Sequence, residues 1–260
     1  MADAQFTGER LSGGDADEFT VDMQRHLAAY RYAATLAQGR AVLDAGCGEG
    51  YGSAMLAQGA ARVRGLDQAE AIAIASLRHR APNLEYRVYD LTQLERLGET
   101  FELVVSFQVI EHLHDPAGFL RGLAACTAPG GTLVVTTPNR LMSVSENPYH
   151  LREWTAVELG ALAAPILPGV EVLGVHGSQR VIAWEEARGA QIQRILRLDP
   201  LGLRKLLPEV VVKRVFPMLA QLVRRRVKDG GGQPIVGPDD FTVHGDDMTR
   251  PLDLLLLWRR

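Results

Sequence analysis

The sequence predicts a doubly wound α/β domain, a largely parallel sheet with helices on both faces, and three observations lead there. From Arg40 onward, short apolar runs (AVLDAG, ARVRGLD, LEYRVYD, FELVVSF, GTLVVTTP) alternate with helix-like stretches (YGSAMLAQG, AEAIAIASLRHRA, PAGFLRGLAACTA). Strands separated by helical patterns imply βαβ units and a parallel sheet. Turn residues fall between the units: Gly59, Pro82, Pro129-Gly130-Gly131 and Pro138-Asn139, while Asp115-Pro116 offers an N-cap with proline at the first helical position. The 260 residues are 47% hydrophobic and 23% charged, a balance that supports a folded core and argues against disorder over most of the length.

Before the first strand, VDMQRHLAAYRYAATLA reads as an amphipathic helix, either packing on the sheet or covering a ligand. After the fifth strand the pattern changes. VEVLGVHG reads as a strand and PLDLLLLWR as the last, with VEVLGVHG its natural partner. The residues between them far exceed a hairpin loop of ~2–5 residues, so an insertion with structure of its own is expected. The expected organisation is one domain over 1–260: a helical cap (1–39), a nucleotide-binding core (40–176), a helical lid or insertion (177–240) and a final strand (241–260).

Composition narrows the function classes. Two cysteines, Cys47 and Cys126, are too few for a disulfide framework and favour a reducing compartment. No run of eighteen uncharged apolar residues occurs, and MADAQFTGERLSGGDADEF has neither a basic start nor an apolar core, so a soluble cytoplasmic protein is expected. The formal charge of −3 is uneven: Gly177–Asp240 carries 12 basic and 7 acidic residues, and the rest of the chain is acidic. Without interleaved aromatics this basic stretch does not read as a nucleic-acid surface. LRKLLPEVVVKRVFPMLAQLVRRRVK could lie on an anionic membrane. Pro208 and Pro217 interrupt it, which favours a lid whose apolar face packs on the core.

The most informative segment is Val42-Leu43-Asp44-Ala45-Gly46-Cys47-Gly48-Glu49-Gly50-Tyr51-Gly52. An apolar strand enters a glycine turn and a helix follows at once, so the backbone turns sharply and a ligand can approach without a Cβ in the way. Dinucleotide sites use G-x-G-x-x-G. Here the spacing is G-x-G-x-G with Asp44 two residues before the first glycine, which suits the cationic end of a ligand such as S-adenosylmethionine better than a pyrophosphate. Asp67 ends the second strand, where a carboxylate can accept two ribose hydroxyls, and Asp90 ends the third, where it can accept from an adenine amino group. Each acid alone also suits a turn; three at successive strand ends are harder to explain so.

On these residues, Arg40 to Asn139 resembles the class I S-adenosylmethionine-dependent methyltransferases. VLDAGCGEGYG, GLDQ, YDL, SFQVIEHLHDP and TAPGGTLVVTTPN correspond to successive family motifs. The resemblance implies a seven-stranded Rossmann-like methyltransferase sheet whose last hairpin is antiparallel. It also implies a cofactor site at Asp44, Ala45, Gly46, Cys47, Gly48, Asp67, Gln68, Asp90, Leu91, Phe107 and Gln108. More narrowly, TGERL, CGEGYG, FQVIEHL, TPNR and NPYHLRE are similar to bacterial methyltransferases of sugar hydroxyls, notably the mycobacterial methylmannose polysaccharide O-methyltransferases. A saccharide or glycoconjugate acceptor is therefore expected. A quinone-precursor phenol is the alternative, and a non-catalytic cofactor-binding protein comes last.

A hydroxyl is a poor nucleophile at neutral pH and benefits from a general base. His150, in the polar stretch ENPYHLREW beyond the fifth strand, is the first candidate, His112 the second, and Glu111 could orient either imidazole. Their bland roles are loop and helix-end hydrogen bonding. A divalent ion such as magnesium could be shared by carboxylate and imidazole groups of this kind. The spacing shows no dense ligand cluster, so no metal ligand is assigned.

Overall fold

In the computed structural model, residues 20–143, 149–196 and 234–260 are described. The lid expected over 177–240 falls mostly outside them; only its two ends are described. The chain opens with α1 (Val21–Ala37), the amphipathic segment read from sequence, capped by Thr20, whose side chain accepts from Met23 N at 3.2 Å. Then come β1 (Ala41–Ala45), α2 (Tyr51–Ala57), β2 (Arg62–Asp67), α3 (Ala69–Arg78), β3 (Leu84–Val88), β4 (Phe101–Phe107), α4 (Pro116–Cys126) and β5 (Thr127–Pro138). The chain continues with α5 (Ala156–Ala163), β6 (Glu171–Gly177), α6 (Gln179–Leu196), β7 (Phe241–His244) and β8 (Asp253–Arg259).

These strands form one sheet in the order β3-β2-β1-β4-β5-β8-β6-β7. The first five pair in parallel, and β8 runs antiparallel between β5 and β6. The expected pairing of β8 with β6 is present; the strand count is not as expected. Eight strands stand where seven were predicted, because Phe241–His244, assigned to the run-up of the final strand, adds an antiparallel edge to β6. A second difference concerns Pro129-Gly130-Gly131. The residues expected to make a turn lie inside β5, where pairing with β4 jumps from Phe101↔Thr127 to Leu103↔Thr132. Gly130, at φ 76°, accommodates that bulge and donates its N–H to Arg260 O at 3.0 Å.

The near-continuous apolar strands follow from burial on both faces. On one face Ala29, Tyr30, Ala33 and Leu56 of α1 and α2 pack on Val42, Leu103, Val105 and Leu255. On the other, Phe119, Leu120, Leu123 and Leu159 of α4 and α5 pack on Leu43, Val104, Leu133 and Leu256. A smaller cluster of Val21, Ala28, Val175, Val181, Phe241 and Leu252 joins α1 and α6 to β6 and β7. Strands β1, β4 and β5 therefore end together, and the loops after them form one rim. Among the described residues no helix is long and apolar enough to cross a membrane.

Candidate functional site

Asp44 lies near the end of β1 and is fully buried. Its carboxylate accepts from Ser53 Oγ at 2.6 Å and from Tyr30 OH at 3.2 and 3.3 Å. Burial pushes its pKa up to about 7, although the two hydroxyls pull the other way. Gly46, Gly48 and Gly50 all have positive φ (91°, 54° and 87°). At Gly46 a Cβ would also collide with Val109, so sterics exclude a side chain there twice over. Gly46 N and Cys47 N bond to Leu66 O at 2.8 and 3.1 Å, locking the turn against β2. Cys47 is buried, and burial drives its thiol far up, so it packs rather than reacts.

Asp67 closes this loop from the next strand. Its Oδ2 accepts from Gly48 N at 2.8 Å and its Oδ1 from Gln68 N at 2.7 Å. Asp90 does what a turn residue does: its Oδ1 accepts from Thr92 N at 2.9 Å and Thr92 Oγ1 at 2.7 Å, capping the short 3-10 helix Leu91–Arg96. Oδ2 lies outside that pair of bonds. The three acids thus have different duties, one buried at the end of β1, one bonded to the glycine loop and one at an exposed turn. Gln68 and Leu91 follow the second and third acids directly in the chain.

Phe107 is buried, its ring 4.7 Å from that of Tyr30 and 6.4 Å from that of His26. Gln108, next in the chain, is the one non-glycine with positive φ (57°) among the described residues. Such a conformation costs about 1 kcal/mol or more and concentrates at functional sites. It sits at the mouth of the sheet between β4 and the turn Ile110–His112.

That turn brings the candidate bases together. Glu111 O accepts from Leu151 N at 2.8 Å, stitching the loop after β5 to the loop after β4. The imidazoles of His112 and His150 come to 5.0 Å between centroids. His150 Nδ1 meets Glu153 Oε1 at 2.5 Å, and His112 Nδ1 meets Tyr149 O at 3.0 Å. Burial pushes Glu153 up, but hydrogen bonds from His150 and Ser143 more than reverse it, so it stays ionised. Burial lowers His112. Glu111 is buried; its Oε2 accepts from Thr137 Oγ1 at 3.1 Å, while Oε1 has no hydrogen-bond partner among the described residues. Burial pushes Glu111 up to about 8. The expectation that no dense ligand cluster exists is corrected here. One ligand atom each from Glu111, His112 and His150 lie within 4.8 Å of one another.

Sequence reasoning missed several residues at this rim. Asp253, the first residue of β8, pairs with Pro138 and Val175 at the sheet edge and is buried. Its Oδ2 takes Arg25 Nε at 3.3 Å, and its Oδ1 has no hydrogen-bond partner among the described residues. Burial raises its pKa, opposed by Arg25 and by the neighbouring Gln108 side chain. Tyr30, Ser53 and Glu153 were also unassigned. For Tyr30 the available signal was its place on the apolar face of α1, four residues after His26; Asp253 stood in an apolar run as its single charge.

A doubly wound sheet with a glycine turn after β1, acids after β1 to β3 and an antiparallel strand inserted beside β5 defines a class I S-adenosylmethionine-dependent methyltransferase. Residues 22–164 match the family described as Methyltransferase domain. The chain is 38% identical over 221 residues to an S-adenosylmethionine-dependent methyltransferase of Mycolicibacterium smegmatis, covering 80% of this chain and 84% of the relative. It is 31% identical over 196 residues to the ubiquinone biosynthesis O-methyltransferase of Pseudomonas fluorescens, covering 70% of this chain and 79% of that protein. The solved structure of an S-adenosylmethionine-dependent methyltransferase from Mesorhizobium loti superposes with a TM-score of 0.51 at 18% identity, over 89% of this chain and 98% of that one. The chain belongs to the S-adenosylmethionine-dependent methyltransferases, and S-adenosylmethionine is its cofactor.

Proposed function

We propose that this methyltransferase acts on a hydroxyl oxygen of a saccharide or glycoconjugate. The observation that carries this reading is the pair of buried carboxylate oxygens, Glu111 Oε1 and Asp253 Oδ1, that lack a hydrogen-bond partner among the described residues and flank the end of β5 beside Gln108. A buried acceptor left unpaired costs about 1–3 kcal/mol, which a hydroxyl-rich substrate relieves and an apolar ring does not.

In this reading Asp44 and the loop Ala45, Gly46, Cys47 and Gly48 receive the methionine end of the cofactor. Asp67 and Gln68 take the ribose, whose hydroxyls can use the second lone pairs of the Asp67 oxygens. Asp90 and Leu91 border the adenine, and Phe107 and Gln108 face the junction of donor and acceptor. The acceptor oxygen, held about 3–3.5 Å from the methyl carbon, attacks in line. The carbon–sulfur bond breaks as the carbon–oxygen bond forms, S-adenosylhomocysteine leaves, and the hydroxyl proton passes to His150, whose ring Glu153 orients. The test is release of S-adenosylhomocysteine with a panel of neutral sugars, uronic acids and phenols. Turnover confined to phenols would overturn the saccharide reading. Similarity to the ubiquinone biosynthesis enzyme of P. fluorescens supports the second reading, a quinone-precursor phenol.

A further inference from the structure

The N-terminal half of α1 spans the rim. Its Tyr30 hydroxyl reaches Asp44 on β1, and its Arg25 Nε reaches Asp253 on β8 at 3.3 Å. In the sheet, β4 and β5 stand between those two strands. His26 falls between the two anchors, one helical turn before Tyr30 and on the same face of the helix, so its ring is delivered over the end of β4. The contacts agree: its centroid is 5.3 Å from that of Tyr30, 5.7 Å from that of Tyr51 at the exit of the glycine loop, and 6.4 Å from that of Phe107. His26 thus has the glycine loop on one side and, through Phe107 and its neighbour Gln108, the acceptor end of the rim on the other.

Apart from this stacking the ring is uncommitted. Burial and the neighbouring Arg25 guanidinium hold its pKa down at about 4, and no hydrogen bond contributes. The imidazole is uncharged at neutral pH and offers one N–H and one lone pair. A neutral ring suits this place, because an imidazolium would repel the sulfonium of the cofactor. Packing accounts for an aromatic side chain here but not for its two nitrogens, since phenylalanine would stack on Tyr30 and Phe107 as well. His26 is half-buried, open enough for a ligand to reach it.

We infer that His26 is a specificity-determining residue, whose imidazole hydrogen-bonds a second hydroxyl of the acceptor, beside the one that is methylated. This rests on the hydroxyl-methylation reading and adds to it a contact supplied by α1. Binding, and not proton transfer, is the role that fits. A general base works best with a pKa near the operating pH, and a ring held at about 4 is poorly matched to that task, whereas its neutral form is the one that can both donate and accept. A hydrogen bond to a hydroxyl that does not react is equally strong before and during methyl transfer, so it lowers KM and leaves kcat alone.

The experiment compares His26→Phe with His26→Gln in the full-length chain, with methyl α-mannoside as the sugar acceptor and catechol as the phenolic one. Phenylalanine keeps the stacking and loses the hydrogen bond; glutamine loses the ring and keeps a donor and an acceptor. With the mannoside, His26→Phe should raise KM about 5–10-fold with kcat little changed, and His26→Gln should hold KM within about threefold of the parent. A ring that only packs gives the opposite order, His26→Phe matching the parent and His26→Gln impaired, and that order overturns the inference. Retained binding of S-adenosylhomocysteine certifies that each variant is folded. A second readout needs no turnover: diethyl pyrocarbonate at neutral pH, followed by mass spectrometry, should modify His26 in the S-adenosylhomocysteine complex, because a ring that meets an acceptor must be reachable there. An unmodified His26 overturns the inference. Turnover of catechol without turnover of the mannoside would remove the saccharide reading alone; catechol also carries a second hydroxyl, so the order of the two variants measured on it still decides the role of His26.

Discussion

Cofactor affinity should depend on pH through Asp44. Burial holds this carboxyl near 7 in the free protein, against an ordinary value of 3.8, so at mildly acidic pH the folded chain keeps a proton there. The cationic end of S-adenosylmethionine binds the ionised form, and binding must expel that proton. With a pKa of about 7, roughly 3% of sites are ionised at pH 5.5 and half at pH 7.0, so affinity should rise about 16-fold across that interval, or ~1.6 kcal/mol. The interval lies below the ~7.7–8.0 of an α-amino group, so the ligand keeps its charge throughout. Isothermal titration calorimetry at pH 5.5, 6.0, 6.5 and 7.0, in buffers of different ionisation enthalpy, measures both affinity and proton release. Nearly one proton per ligand should be released at pH 6.0. Asp44→Asn should bind weakly and without pH dependence. An affinity constant within twofold over the interval, or the same slope in Asp44→Asn, would refute the assignment.

Tyr30→Phe removes a buried hydrogen bond to Asp44, worth ~1.5–3 kcal/mol when the acceptor is charged. It should weaken cofactor binding about tenfold or more and move the pH midpoint of binding upward, read by the same calorimetry. Gly52→Ala would drive a Cβ into the ring of Tyr30, which His26, Tyr51 and Phe107 hold in place; overpacking of ~1–3 kcal/mol should lower Tm by ~3–10 °C in calorimetric scans. His150→Ala should cut kcat by ~10²–10⁴-fold while leaving the Kd for S-adenosylhomocysteine within twofold; unchanged kcat would remove His150 from the chemistry. Glu111, raised from an ordinary 4.5 to about 8 by burial, makes the fold progressively less stable as pH rises between those values, and the loss is complete above them. Glu111→Gln should therefore be more stable than the parent by a few kcal/mol in urea at pH 9, though inactive; equal midpoints would show that the carboxyl is not desolvated.

Much of the core was legible because local chemistry and tertiary role agree. The apolar strands between helical repeats, and the glycines forced to positive φ after β1, are demanded by backbone geometry and burial wherever they occur. Asp115 capping α4 and the length of α1 follow the same logic. Misreadings arose where two local rules compete. Pro129-Gly130-Gly131 has turn chemistry, yet pairing with β4 and β8 on either side absorbs it as a bulge. Phe241–His244 is too short to announce itself, and becomes a strand because β6 offers an unpaired edge.

Residue types and spacing alone were enough to define the layered α/β architecture, the glycine loop and the acids that flank it, since these obey constraints within a dozen residues. Contacts across long stretches of chain were not available in that way. Tyr30 meets Asp44 from another element, His150 reaches Glu111 across the sheet's edge, and Asp253 arrives beside Gln108 from the far end of the chain. Burial, and with it the altered acidity of Asp44, Glu111 and Asp253, exists once those elements have packed, because desolvation is a property of the assembled surroundings and not of any one segment.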